Sequence, residues 1–172
     1  PFHTRKYAND LAIKAILKLA RRPGFDRFRF SLYGQGRFFK PLVSRVRHLD
    51  NVHAHEGFLT QGQVAQVHRD HGVLLCPTRQ DSQGVSMCEA MSSGLVPVTS
   101  RNTAIPEFVS DGVSGIMTRS TDGLARAIAR LGDDPTLFCR LSQNASESIR
   151  AKCDSEGVIA QELELLGHYA SA

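Results

Sequence analysis

Apolar positions along this chain follow two rhythms that take turns. Over residues 7–21, Leu11, Ile13, Ile16, Leu17 and Leu19 recur near every 3.6 positions, with Asn9 or Asp10 placed to cap the start and Pro23-Gly24 to stop it. Phe28, Phe30 and Leu32 then alternate with Arg29 and Ser31, the period of a strand, which runs out at Tyr33 into Gly34-Gln35-Gly36. A helix is expected over residues 39–48, with Pro41 in its first turn and Leu42, Val43 and Val46 facing inward. Residues 51–57 read as a short strand ending at Gly57, residues 61–70 as a helix closed by Gly72, and residues 73–76 as a buried strand.

The second half repeats the alternation. A helix over 85–91, a strand over 96–99, a helical turn from Ile105 and a short strand over 115–117 come in order. From Thr121 the pattern is helical throughout: 123–131, then 135–152 with Pro135 in its first turn, then 155 to about 169. Strands separated by crossovers long enough for a helix argue for an α/β domain with a parallel sheet covered on both faces. Right-handed crossovers make it a doubly wound, Rossmann-like sheet of about five to six strands, whose ligands sit at the carboxyl ends of the strands.

One junction concentrates the polar chemistry. After the strand over 73–76 comes the loop Pro77-Thr78-Arg79-Gln80-Asp81-Ser82-Gln83-Gly84, and then the helix from Val85. A strand, a loop and a helix start aim free amides and the positive end of a helix dipole at whatever lies in front, and phosphate is the usual guest. Asp81 and Glu89 bracket the loop. Carboxylates suit sugar hydroxyls better than phosphate, so the layout fits a diphosphate between two hydroxyl-bearing rings, as in a nucleotide sugar.

The ordered series Asp81-x7-Glu89, Ala90-Met91, Gly94, Pro97-Val98, Pro106-Glu107 and Asp111-Gly112-x-x-Gly115 covers roughly forty residues. It resembles the C-terminal, donor-binding domain of a GT-B glycosyltransferase, similar to glycosyltransferase family 4. Two positions depart from the family pattern: Asp81 stands where Glu is usual, and Asn102-Thr103-Ala104 where a glycine pair is common. The resemblance implies a retaining, metal-independent transfer of a hexosyl-type group from a nucleoside diphosphate sugar, with no cofactor. The acceptor, a cell-surface or envelope glycan or glycolipid, would be bound by a second, N-terminal domain outside this chain. Residues 1–172 are then one nucleotide-sugar-binding domain, helical from 121, inactive alone, and the start at Pro1 fits excision from a longer protein.

By the same resemblance Lys6, between the first strand and first helix, binds the diphosphate, and its usual Arg partner falls at or before Pro1; Arg5 is close but off the spacing. Gly34 and Gly36 lie beside the diphosphate, together with the amides of Gly84, Val85 and Ser86. Gly57, Phe58 and Leu59 lie near the base, Glu89 takes the ribose hydroxyls, and Asp81, Ser82 and Gln83 take the transferred sugar. Lys6, Asp81 and Glu89 form the catalytic group, orienting the donor rather than moving protons.

Composition narrows this further. Residues 1–50 hold twelve Lys or Arg against three acids, a charge of +9 that leaves −5 for the remainder of a chain of net charge +4. A basic third suits a diphosphate, an anionic membrane surface carrying a lipid-linked acceptor, or a plain solvated face. Nucleic acid is the least attractive partner, because no aromatic-rich strand or nucleic-acid motif accompanies the charge. Cys76, Cys88, Cys139 and Cys153 lack C-x-x-C spacing and are expected to be reduced, in a cytoplasmic protein, at most peripheral at the inner membrane face. His53, His55 and Glu56 suggest a metal only with a third convergent ligand that the sequence does not identify, so none is assigned. His68 and His71 are expected at the surface. The rival reading is a non-catalytic nucleotide-sugar-binding or partner-docking module of the same fold; a dinucleotide dehydrogenase lacks its G-x-G-x-x-G.

Overall fold

The computed structural model describes residues 2–154 and, of the remainder, 157, 159, 160, 162–164 and 166. The helix expected over 155–169 therefore lies in good part outside the described residues. Up to Lys152 the described residues form five parallel strands that alternate with seven α-helices. β1 (Phe30–Gly34) pairs with β2 (Val52–Glu56), Phe30 opposite Val52; β3 (Val73–Cys76), β4 (Val96–Ser100) and β5 (Ile116–Thr118) form a second ladder, Val73 opposite Val96 and Val98 opposite Ile116. No ladder joins β1 to β3 among the described residues. Side chains join them instead: Phe30 and Leu32 of β1 and Leu75 of β3 pack on one cluster around Ile13, Ile16 and Val46.

The period of two along each strand decides which helices it meets. On one face Val73 and Leu75 of β3, Val96 and Val98 of β4 and Ile116 of β5 pack against α1 (Asn9–Leu19) and α6 (Thr121–Asp133). On the other, Leu74, Cys76 and Met117 pack against α4 (Val85–Ser92), α5 (Ile105–Phe108) and α7 (Pro135–Lys152). Both faces of this ladder are thus covered, as a doubly wound sheet requires.

Several boundaries differ from the sequence expectation. β1 starts two residues later than expected because Phe28 closes a 3-10 turn, and its carbonyl, with that of Phe25, accepts from the Asn51 amide at 2.7 and 2.9 Å. α2 (Phe39–Val43) is half the expected length. The chain tightens after it into successive i→i+3 bonds, Arg45 to Leu42, Val46 to Val43 and Leu49 to Val46, which turn Val46 into the core. α6 is longer than expected at both ends, with the Ser120 hydroxyl accepting from the Gly123 amide as its cap.

α3 (Gln61–Asp70) opens on a capping box between Thr60 and Gln63 and buries none of its residues. It is anchored at its end by His71, whose ring lies between the Ser31 hydroxyl (2.9 Å) and the Val67 carbonyl (2.8 Å). His71 is therefore half-buried and structural rather than a surface residue. His68 is also half-buried, 3.2 Å from the Ser93 hydroxyl, and burial holds its imidazole below the usual value. The expected cap of α1 is absent too: Ala8, at φ 47°, occupies the N-cap with no side-chain bond, and Asp10 lies inside the first turn, paired elsewhere.

Candidate functional site at the carboxyl ends of the strands

β3 delivers the chain into a loop that is held from three directions. The Thr78 amide donates to the hydroxyl of Ser100, the last residue of β4 (3.3 Å), and the Asn102 side-chain amide donates to the Thr78 carbonyl (2.6 Å). The Thr78 hydroxyl (3.2 Å) and the Arg79 amide (2.7 Å) both donate to the carbonyl of Lys6. The Arg79 guanidinium then grips Asp10 with two parallel bonds of 2.7 and 2.8 Å and reaches the Arg5 carbonyl at 2.9 Å. Fork-on-carboxylate geometry of this kind is directional as well as strong. The Lys6 segment is thereby strapped to the loop after β3, with the Lys6 side chain exposed.

The same segment touches the turn after β1 and the start of α2 on its other flank. Phe2 is buried edge-on against Phe39 (5.0 Å between centroids), and its carbonyl accepts from the Phe38 amide. Gly36, at φ 141°, lies so close that a Cβ there would sit 2.5–2.7 Å from the backbone of Phe2 and His3. What requires glycine at this position is the protein's own backbone; the sequence assigned it to a diphosphate. Gly34 accepts at its carbonyl from the Gly57 amide (3.1 Å), which ties the end of β2 to the end of β1. Beyond it Phe58 is exposed and Leu59 half-buried, and Tyr33 stacks on His55 at 5.0 Å.

The entry to α4 is built by Asp81. Its Oδ1 accepts from the Gly84 amide at 2.8 Å and the Gln83 amide at 3.3 Å, and its own amide donates to the Thr103 hydroxyl at 3.2 Å. This is the side-chain turn that Asp forms where the chain must reverse. Gly84 follows in the left-handed region at φ 69°, and its carbonyl accepts from Met87 and Cys88 to start the helix. The Gly84 amide, expected among the phosphate donors, is therefore taken up by Asp81. The amides of Val85 and Ser86 have no acceptor among the described residues. Met87, Cys88, Ala90 and Met91 are buried, so Val85, Ser86 and Glu89 share the exposed face of α4. The Glu89 charge is close enough to His68 to favour its protonated form, partly countering burial.

Lys6, Asp81, Val85, Ser86 and Glu89 thus gather around one loop, while Gly57, Phe58 and Leu59 lie at the end of β2, joined to the rest through Gly34. Ser82 and Gln83 are exposed at the tip of the loop. Sequence reasoning missed Thr78, Arg79 and Asp10, which position Lys6; Arg79 and Asp10 are 69 residues apart, and no local pattern links them. Asn102 carried a signal, since it interrupts the expected glycine pair.

Residues 2–134 match the family model described as Glycosyl transferases group 1. The chain belongs to that family. Among curated relatives, the putative colanic acid biosynthesis glycosyltransferase WcaL of Salmonella typhimurium is 31% identical over 155 residues, 85% of this chain and 36% of its own. Among solved structures, HepE of Anabaena in complex with UDP superposes with a TM-score of 0.83 at 18% identity, over 98% of this chain and 47% of its own. The C-terminal domain of the group 1 glycosyl transferase LpcC from Francisella tularensis superposes with a TM-score of 0.74 at 19% identity, over 87% of this chain and 80% of that domain. The chain spans about a third of the length of the curated relatives it matches. For this group 1 glycosyl transferase chain the fold is that of the C-terminal domain of a GT-B protein.

Proposed function

We propose that this chain is the nucleotide-sugar-binding half of a retaining, metal-independent glycosyltransferase that moves a hexosyl-type group from a nucleoside diphosphate sugar to a glycan or lipid-linked acceptor. The observation that carries the reading is the exposed opening turn of α4, where two amides without acceptors lie beside Glu89, with the Lys6 segment strapped to the same loop. Negative charge grows on the leaving diphosphate during transfer, and fixed donors already aimed at it lower the barrier most. The Val85 and Ser86 amides, the dipole of α4 and the Lys6 ammonium supply that field. Glu89 accepts the ribose hydroxyls. Asp81 orients the sugar through Oδ2, its Oδ1 being held by the loop. Gly57, Phe58 and Leu59 line the base. The acceptor and the remaining donor contacts come from another domain, so this chain alone binds a nucleoside diphosphate weakly and transfers nothing. None of its described helices is long and apolar enough to cross a membrane; the basic first third meets an anionic membrane surface.

UDP is the first nucleotide to try, because the related HepE is complexed with it. Calorimetry with UDP, GDP and ADP on the wild type and on Glu89→Ala tests the site, and equal binding by both proteins removes Glu89 from it. With the full-length protein, the anomeric configuration of the product read by NMR and insensitivity of the rate to a chelator test retention and metal independence. A full-length protein that binds the donor yet neither hydrolyses nor transfers from it is a binding module instead.

A further inference from the structure

The last turn of α3 meets the end of α4 through His68. Its Nδ1 is 3.2 Å from the Ser93 hydroxyl, and that hydroxyl donates at 3.1 Å to the carbonyl of Glu89. A carbonyl can only accept, so the one hydroxyl proton of Ser93 is committed to Glu89 and the imidazole must be the donor of its pair with Ser93. The proton of the neutral ring therefore sits on Nδ1. Nε2 carries the lone pair and has no hydrogen-bond partner among the described residues.

This chain of two bonds ends on the residue proposed above to take the ribose. The Glu89 main chain is held, its carbonyl accepting from the Ser92 and Ser93 hydroxyls and the Ser93 amide. Its carboxylate is exposed, with no hydrogen bond or ion pair among the described residues. The charges that bear on the imidazole are those of Glu89 on α4 and His71 at the end of α3. Arg150 of α7 covers the same end of α4, donating to the Ser92 carbonyl at 2.7 and 3.1 Å. Burial pushes the imidazole below its ordinary 6.5, Glu89 opposes that and His71 adds to it. The ring is thus neutral at neutral pH and becomes a cation near Glu89 in acid.

We infer that His68 is a positioning residue whose proton controls how firmly Glu89 holds the donor. Neutral, it leaves the full carboxylate charge to the ribose hydroxyls; charged, it draws on that charge, and the hydroxyls bind more weakly. The inference rests on the donor reading proposed above and adds to it release of the nucleotide in acid. The diphosphate does not reverse the sign. α4 is eight residues long, about 12 Å at 1.5 Å per residue, so its opening turn lies more than a Debye length of about 8 Å from the end that His68 touches.

Two measurements on this chain, both at about 0.15 M salt, provide the test. NMR of the His68 Cε1–H signal follows its titration between about pH 8 and about pH 5. Glu89→Gln should lower the midpoint by about half a pH unit, the roughly threefold factor of an exposed ion pair. Saturation of the wild type with donor should lower it in the same direction, because coupling between two bound ligands is reciprocal. Calorimetry then compares UDP-glucose, GDP-mannose and ADP-glucose, whose diphosphates do not titrate in this range, on the wild type and on His68→Asn. The variant keeps a donor for Ser93 and cannot charge. Between about pH 7.5 and about pH 5 the wild type should lose about threefold more donor affinity than His68→Asn. His53 and His55 titrate in both proteins, so the difference belongs to His68. A midpoint that Glu89→Gln or the donor leaves in place overturns the inference, as do equal pH profiles in the two proteins, and in each case the donor site stands. Failure of all three nucleotide sugars to bind the wild type overturns the donor reading and the inference with it. Glu89 is exposed, so Glu89→Gln keeps the fold intact even where His68→Asn does not.

Discussion

Replacing Arg79 should loosen the strap that holds Lys6 against the loop after β3. Arg79→Ala removes two bonds to Asp10 and one to the Arg5 carbonyl, at 2.7, 2.8 and 2.9 Å. The pair is part-exposed, 41% for the Arg79 side chain and 28% for Asp10, so solvent screening keeps its worth near about 1 kcal/mol despite bidentate geometry. The bond to Arg5 adds roughly 0.5–1 kcal/mol, for a total of about 1.5–2. In a domain of this size that lowers Tm by roughly 3–8 °C. The pH dependence identifies the cause. The bond from Arg79 holds the Asp10 carboxyl below its usual 3.8, so the folded protein binds its proton more weakly than the unfolded chain, and stability rises with pH through this range. The contribution is complete above 3.8 and vanishes as pH falls through the lower folded value. Urea unfolding of wild type, Arg79→Ala, Asp10→Ala and the double variant, at neutral pH and at about pH 2.5, measures this as a coupling free energy. Coupling of about 1 kcal/mol at neutral pH that disappears in acid is expected. No coupling at neutral pH, or coupling that persists in acid, refutes the strap.

Two more outcomes follow from single positions. Gly36→Ala places a Cβ 2.5–2.7 Å from the backbone of Phe2 and His3 at φ 141°, so it should cost about 1–3 kcal/mol, seen as a lower urea midpoint with unchanged slope; an unaffected midpoint shows that the Phe2 segment does not rest there. Burial pushes the Cys76 thiol up to about 12 and Cys88 to about 11, while Cys139 and Cys153 are exposed. A thiolate reagent at neutral pH should therefore label Cys139 and Cys153 of the native protein and reach Cys76 and Cys88 only after unfolding, which peptide mapping by mass spectrometry reads directly.

Much of the fold was legible in the sequence because burial imposes a period. β3, α3 and α7 have the bounds expected of them, since Gly72 separates the first two and Pro135 opens the third. The errors arose where a distant side chain intervened. Phe28 alternates correctly for a strand, yet Asn51 draws its carbonyl out of the ladder. Residues 44–48 carry helix-like spacing, yet reaching the Ile13 cluster with Val46 requires a tighter turn. Asp10 was read as a cap because caps are local, whereas its partner is Arg79. The candidate site followed the same rule. Its α4 face was visible in the spacing of Asp81 and Glu89, but the bonds that position Lys6 join residues more than seventy apart.

Asp81 connects these observations. A carboxylate at the start of α4 stabilises the helix through its dipole, yet it stands in the field that would attract a diphosphate and occupies one of the amides that would bind it. A side chain one methylene longer reaches farther from the turn; Asp81, being short, closes onto Gln83 and Gly84 instead. On the function proposed above, the anion cradle is then narrowed to the amides of Val85 and Ser86. Lys6 is the cation in the arrangement held nearest by main-chain contacts, its carbonyl fixed by both Thr78 and Arg79. The strap fixes the main chain of Lys6 beside the loop that opens α4, while the residue itself is exposed. On the function proposed above, the departure at Asp81 and the hold on the Lys6 main chain act together, the first leaving Val85 and Ser86 as the open amides of the helix start and the second keeping a lysine beside the same loop.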